Sequence, residues 1–324
     1  MPKDLIHFKV AERTAARLTK SRFSEATSAC PEAMLLGSVF HDALFFAVRS
    51  EGAPLERLSH QFHGADGQDT FRLIRFQAEL AARADDRALP ASMLVGLVSH
   101  LWADAVMHPM VWHLTGDYYG DDPKPRSQVR QRHRALESLM DMVACPEMLG
   151  RASYRLRLLL RRCPDFLKRG TPIRQLAKAA KICPQTAKRE AGKAWQLFAW
   201  LQHAFAVRGL AWTLHAMRPA LPDAAKEIGA LFYAPQMMRN ANRISGEIDF
   251  RQPVTGEPLT GSLESLMDQA ADRSTQTLLE LESFVFDSSG EPLSASGPSM
   301  DAGISGVPTS AMLHFAEPPF DASA

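Results

Sequence analysis

The sequence is short of several things, and each shortage removes a class of protein. It has four cysteines, Cys30, Cys145, Cys163 and Cys183, with no pair at CxxC spacing. That argues against a disulfide framework; reduced, buried thiols are expected. There is no uninterrupted apolar run near the ~18 residues that a membrane-spanning helix needs, so no transmembrane segment is expected. Behind Met1-Pro2-Lys3-Asp4-Leu5-Ile6-His7 there is no apolar leader of the signal-peptide kind. Nor is there an excess of one charge, with 37 Lys and Arg against 36 Asp and Glu, so global charge selects no partner. The expectation is a soluble, cytoplasmic protein. Internal repeats and sustained strand-like alternation are also missing.

What remains is a chain that is 46% hydrophobic, enough for a substantial core. Apolar residues recur at helical spacing along most of it. Helices are predicted at Ala11–Thr19, Thr70–Arg83, Ala91–His108, Ser127–Val143, Ala152–Arg162, Ile173–Ile182, Thr186–His203, Val207–Met217, Asp223–Met238 and Ser262–Phe286. Between them lie a Gly- and Asp-rich connection at 59–71, an aromatic loop at Trp112–Arg126 and a turn at Pro253–Pro258. The fold class expected is all-α: one helical domain over residues 1–286, then a Ser-, Gly- and Pro-rich tail, 287–324, expected to be disordered.

Within Ala91–His108, His100, Asp104 and His108 are spaced i, i+4, i+8 among Leu97, Val98, Leu101, Val106 and Met107. Four helical residues advance about 40° beyond a full turn, so these side chains form one slanting row. A polar row inside an apolar surface has to be hydrogen-bonded, ion-paired or metal-bound. Pro109 is expected to end the helix there. A shorter row, His133 and Glu137, follows on the next helix. Imidazole with carboxylate is a donor set that suits zinc. Asp42 lies in the apolar stretch 31–46 with no Lys or Arg beside it, and eight of the eleven histidines precede residue 134.

Taken in order, Ile6-His7-Phe8, Gly37-Ser38-Val39-Phe40-His41-Asp42, Phe62-His63-Gly64, His100-x3-Asp104-x3-His108-Pro109 and His133-x3-Glu137 resemble the bacterial zinc-dependent phospholipase C family, whose all-helical fold is shared with fungal single-strand nucleases. The similarity spans about the first 145 residues. It implies a cluster of two zinc ions, with a third beside them. Asp42, His63, His100 and Asp104 would hold one, and His108, His133 and Glu137 a second. His7, with Asp104 as bridge, would hold the third. In secreted members an N-terminal tryptophan completes that third site; this chain begins Met1-Pro2. The implied chemistry is phosphodiester hydrolysis by metal-activated water, with Asp42 orienting or deprotonating it. His63 is preferred to His60 because Gly64 follows it. His41, His60 and His113 are expected outside the ligand set.

A phosphodiester substrate, with phospholipid the simplest, follows from the same resemblance. Nuclease or other phosphoesterase activity is the alternative within enzymes, and a non-catalytic zinc-binding helical protein is the alternative outside them. Residues 151–193 are strongly basic, with only Asp165 and Glu190 in opposition; the first reading is surface helices with a solvated charged face, and the alternative is peripheral contact with an anionic membrane. Nucleic acid is the less favoured partner for that face, since its helix–turn–helix-like stretch lacks the usual turn glycine.

Overall fold

The computed structural model describes residues 3–48 and 51–323; the Met1-Pro2 start lies outside them. The protein is all-α. Its helices are α1 (Asp4–Arg17), α2 (Arg22–Ala29), α3 (Pro31–Gly37), α4 (Phe40–Ala43), α5 (Ala53–His63), α6 (Phe71–Arg83), α7 (Ala88–Thr115), α8 (Pro123–Ala144), α9 (Leu156–Arg162), α10 (Ile173–Ala180), α11 (Pro184–Phe205), α12 (Arg208–Met217), α13 (Asp223–Gly229) and α14 (Leu263–Asp287). One short antiparallel hairpin, β1 (Ile248–Arg251) with β2 (Pro258–Gly261), folds about the Pro253–Pro258 turn, pairing Ile248 with Gly261.

Helix α7 is the axis. It is apolar almost all round, so it can only be stable surrounded by other elements, and α1, α2, α3, α6, α8 and α14 pack along it. It has the length and apolarity of a membrane span, yet 94% of its most apolar window is buried inside the protein. At one crossing the backbone of α3 nearly touches it. A Cβ on Gly96 would sit 2.1 Å from the Met34 carbonyl oxygen, and one on Gly37 would sit 2.4 Å from that of Met93. Only glycine allows this approach, and it brings the Ser38 carbonyl within reach of His100.

Several boundaries differ from expectation, each for a non-local reason. Helix α7 does not stop at Pro109; it runs on to Thr115 because Met110, Val111 and Trp112 are buried against the core. Proline removes one hydrogen bond from a helix, and burial outweighs that loss here. Helix α1 begins at Asp4, seven residues before expectation, since the Asp141 carboxylate of α8 accepts from the first free amides, Leu5 N–H (3.1 Å) and Ile6 N–H (3.0 Å). Residues 53–63 form α5, with Leu55, Leu58 and Phe62 buried and Gly64 closing it in the left-handed conformation (φ 76°). The predicted Asp223–Met238 helix breaks after Gly229. Pro235 favours extended backbone at Ala234 (ψ 122°), and a separate 3-10 stretch, Pro235–Arg243, follows.

The largest correction is the tail. Residues 288–323 are not disordered. Their backbone amides bond to fixed carbonyls: Met300 to His63, Thr309 to Ala65, Ala316 to His113 and Phe320 to Leu114. Met300, Ala302 and Ala322 are fully buried. Low hydrophobicity does not prevent order when a segment's polar backbone is satisfied by groups already held in place.

Candidate metal centre

The site is assembled from five helices. His7 comes from α1, Asp42 from α4, His63 from α5, the row His100, Asp104 and His108 from α7, and His133 with Glu137 from α8. All eight residues are buried, and they form one connected cluster.

Asp104 is the hub. Its carboxylate lies 3.4 Å from His7 Nε2, 3.9 Å from His63 Nε2, 3.2 Å from His100 Nε2 and 3.8 Å from His108 Nε2. On one side Asp42 Oδ1 is 3.3 Å from His63 Nε2 and 3.6 Å from His100 Nε2. On the other, Glu137 Oε1 is 3.7 Å from His108 Nε2 and 3.2 Å from His133 Nε2. Three trios have donor atoms lying within 4.8 Å of one another: His7, Asp42 and His100; His63, His100 and Asp104; and His108, His133 and Glu137.

The outward nitrogens fix which proton each ring carries. His63 Nδ1 is 2.7 Å from the Ser59 carbonyl, His100 Nδ1 is 2.8 Å from the Ser38 carbonyl, and His108 Nδ1 is 2.8 Å from the Met300 carbonyl. A carbonyl only accepts, so each Nδ1 carries the hydrogen. Each Nε2 then presents a lone pair to the interior. His133 Nδ1 lies 3.3 Å from the Thr115 hydroxyl, which itself donates to the Val111 carbonyl and so accepts from the ring. This is the arrangement of metal-ligating histidines, whose second nitrogen is held by a fixed acceptor.

The interior atoms have no such partners. His7 Nε2, Asp42 Oδ1, His63 Nε2, His100 Nε2, both Asp104 oxygens and His108 Nε2 are buried and make no hydrogen bond. Unpaired buried carboxylate oxygens are costly, and a divalent cation among them removes the cost. The donors are nitrogen and oxygen only, which fits zinc.

The electrostatics agree. Burial, with His100 next, lowers His7 to about 3, and burial holds His133 well below its usual value. Both imidazoles are therefore neutral donors. Burial alone would raise Asp104, but His108, His100 and His7 more than reverse it and hold the carboxyl well below its usual range. At Asp42 burial again pushes upward, and the nearby His100 and His63 rings bring the net shift below the usual value. His100 moves the other way, its burial outweighed by Asp104 and Asp42.

His60 lies outside the cluster, half exposed and 3.2 Å from Glu56. His113 is likewise outside, its Nδ1 donating to the His314 carbonyl. The expected aromatic loop shortens to residues 116–122, and it borders the His133 end: the Tyr118 ring is 5.0 Å, centroid to centroid, from that of His133.

Two further residues border the cluster, and the sequence reading singled out neither as a neighbour of its histidines. His41 is fully buried and stacked 4.6 Å from the His100 ring, with neither nitrogen hydrogen-bonded; its place beside Asp42 was the available signal. Asp301, from the tail, lies 3.4 Å from His108 Nδ1, and nothing in its Ser- and Gly-rich surroundings announces it.

Comparison with known families gives one match. The model of the family described as zinc dependent phospholipase C covers residues 6–185, more than half the chain and all eight clustered residues. No curated protein and no solved structure matches.

Proposed function

The chain belongs to the zinc dependent phospholipase C family, and from that premise we propose that it hydrolyses phosphodiesters with zinc held in the buried His/Asp/Glu cluster. The observation that carries the reading is Asp104: a buried carboxylate within 3.9 Å of four imidazole nitrogens, with no hydrogen bond to either oxygen. Asp42, His63, His100 and Asp104 would hold one ion, and His108, His133 and Glu137 a second. His7 with Asp104 would hold a third. Bound there, zinc supplies Lewis acidity, lowering the pKa of water and taking up charge that develops on phosphoryl oxygens.

The chain's own residues do the rest. Asp104 sets the spacing between the two ends of the cluster, since its two oxygens face different imidazoles. Asp42, held ionised, is placed to accept the proton of an attacking water and to orient it. Tyr118, whose ring lies 5.0 Å from that of His133, is the aromatic group nearest that end of the cluster that could contact the organic part of a substrate.

Phospholipid is the substrate class favoured by the basic side of the molecule. Residues 151–193 carry thirteen Arg and Lys against two acidic residues. Arg155, Arg157 and Arg161 line a cavity of about 750 Å³ together with Trp200, which is 64% exposed. Cationic and aromatic side chains in one surface fit an anionic bilayer. The cysteines are unpaired, which suits a cytoplasmic setting.

The test is zinc content followed by turnover of bis(p-nitrophenyl) phosphate. At least two zinc ions per chain and measurable hydrolysis are expected, and His133→Ala should lose one ion and at least about 100-fold in rate, more than outer partners of a ligand typically contribute. Zinc without hydrolysis would leave a zinc-binding protein and end the enzyme reading. A chain that binds no zinc would end the site itself.

A further inference from the structure

The inward-facing histidines are anchored from different parts of the chain. His63 and His100 lean on Ser59 and Ser38, and His133 leans on Thr115; all of these lie within the family-matched residues 6–185. His108 leans on the tail, through the Met300 carbonyl, 192 positions away in sequence. We infer that the turn at 298–304 is a clamp that orients His108 and thereby sets how tightly the His108–His133–Glu137 end retains metal, with Asp301 and Gly303 as its positioning residues. The inference rests on the zinc reading above and adds to it a part of the chain that the family match does not reach.

Three observations build the clamp. First, Met300 is tied at both ends of its backbone. Its N–H donates to the His63 carbonyl at 2.9 Å, and its carbonyl accepts from His108. One buried residue thus joins the end of α5 to the middle of α7. Secondly, the Asp301 carboxylate approaches the same His108 Nδ1 at 3.4 Å and accepts from Trp112 Nε1–H at 3.4 Å. The Met300 carbonyl holds the Nδ1 hydrogen, and a carboxylate close beside that nitrogen makes the ring's inner nitrogen a better donor to metal. Thirdly, the turn has a fitted seat. Gly303 (φ 71°) packs so closely on α7 that a Cβ there would lie 2.5 Å from the Ala105 carbonyl oxygen. Pro109, four residues on from Ala105, has no N–H to give that carbonyl, so the turn docks where the helix ladder is interrupted. Ser299 braces the turn from within, accepting from Asp301 N–H and Ala302 N–H through its hydroxyl, and Gln252 Nε2 donates to the Ala302 carbonyl at 2.6 Å.

The experiment uses the full-length chain, loaded with zinc alone. Wild type, Asp301→Asn, Gly303→Ala and His133→Ala are compared for zinc per chain and for the rate at which a chelator removes each ion. The melting temperature of each metal-free protein is measured in parallel. In the two clamp variants, the ion that His133→Ala lacks should be held about 10–100-fold more weakly, while the remaining zinc leaves at the wild-type rate. A merely structural turn would lower the metal-free melting temperature without moving chelator kinetics, and that result overturns the inference. So does wild-type retention in a folded Asp301→Asn, which decides the matter alone if Gly303→Ala fails to fold. If wild type itself binds no zinc, the zinc reading falls and the clamp falls with it; if wild type binds zinc and the clamp variants hold it equally well, only the clamp falls.

Discussion

Two buried carboxylates in this molecule look alike in sequence and differ in everything that surrounds them. Asp104 follows His100 by four residues on α7; Asp141 follows Glu137 by four on α8, continuing the row that starts at His133. Neither has any exposed surface. Asp141 is saturated with hydrogen-bond donors, accepting from Leu5 N–H, Ile6 N–H and, at 2.7 Å, the Tyr233 hydroxyl. Asp104 faces four imidazole nitrogens, and three of those rings have already committed their hydrogen to a backbone carbonyl. The difference teaches that burial and spacing alone do not leave a carboxylate open to a cation; the protonation state of its neighbours does. The two are also linked. By holding the Leu5 and Ile6 amides at the start of α1, Asp141 places the next residue, His7, within 3.4 Å of Asp104.

The comparison breaks most visibly at Asp104. In Asp104→Asn the shape is kept and the charge is lost, so zinc retention and phosphodiester turnover should each fall by at least about 100-fold, beyond what outer partners of a ligand contribute; metal analysis and single-turnover kinetics read both. Unchanged zinc content in this variant would remove Asp104 from the centre of the site. The second break is Asp141→Asn, which is expected to do the reverse. Its amide accepts less well from the α1 amides, so chemical denaturation should show a loss of about 1–3 kcal/mol. Zinc at the His63–His100 and His108–His133 ends should persist, because His7 is the one residue of the cluster that α1 supplies. If Asp141→Asn instead emptied both ends at full stability, the distinction between the two carboxylates would be false.

What was legible in the sequence follows the same division. The rows His100–Asp104–His108 and His133–Glu137 are local, because a helix alone puts i and i+4 on one face. Asp42, His63 and His7 became legible through their order along the chain, where family resemblance substitutes for geometry. The all-α class followed from apolar periodicity. Features set by distant partners were not legible. The start of α1 depends on Asp141, 136 positions from Leu5, and the continuation of α7 through Pro109 depends on burial. The order of the tail depends on carbonyls at His63, Ala65, His113 and Leu114. Asp301 was missed for that reason. His41 was expected outside the ligand set, and the fold adds what the sequence could not show: its ring is buried, without a hydrogen bond, and stacked on His100.

The smallest effect is a pH dependence that sharpens the contrast from the Asp141 side. Burial pushes the Asp141 carboxyl up to about 7, against the pull of the Tyr233 hydroxyl, whereas an unfolded chain holds it near its ordinary 3.8. A raised carboxyl pKa means that folding favours the protonated form, so this group's contribution is complete below about pH 4 and is lost as pH rises towards 7. Asp4, raised to about 6 mainly by burial, acts in the same window. Lys3, lowered to about 8 by burial, acts between about 8 and its usual 10.5, where its contribution grows with pH, so the two windows do not overlap. Metal-free wild type and Asp141→Asn share every titrating histidine of the site, and the difference between their stabilities cancels those histidines. That difference should favour wild type most near pH 4 and shrink steadily to pH 7, read from thermal unfolding in the presence of a chelator. A difference that grows over the same range would mean that the three donors on Asp141 outweigh its burial and keep it ionised. Asp141 and Asp104 would then both be buried charges, distinguished only by whether hydrogen bonds or metal compensate them.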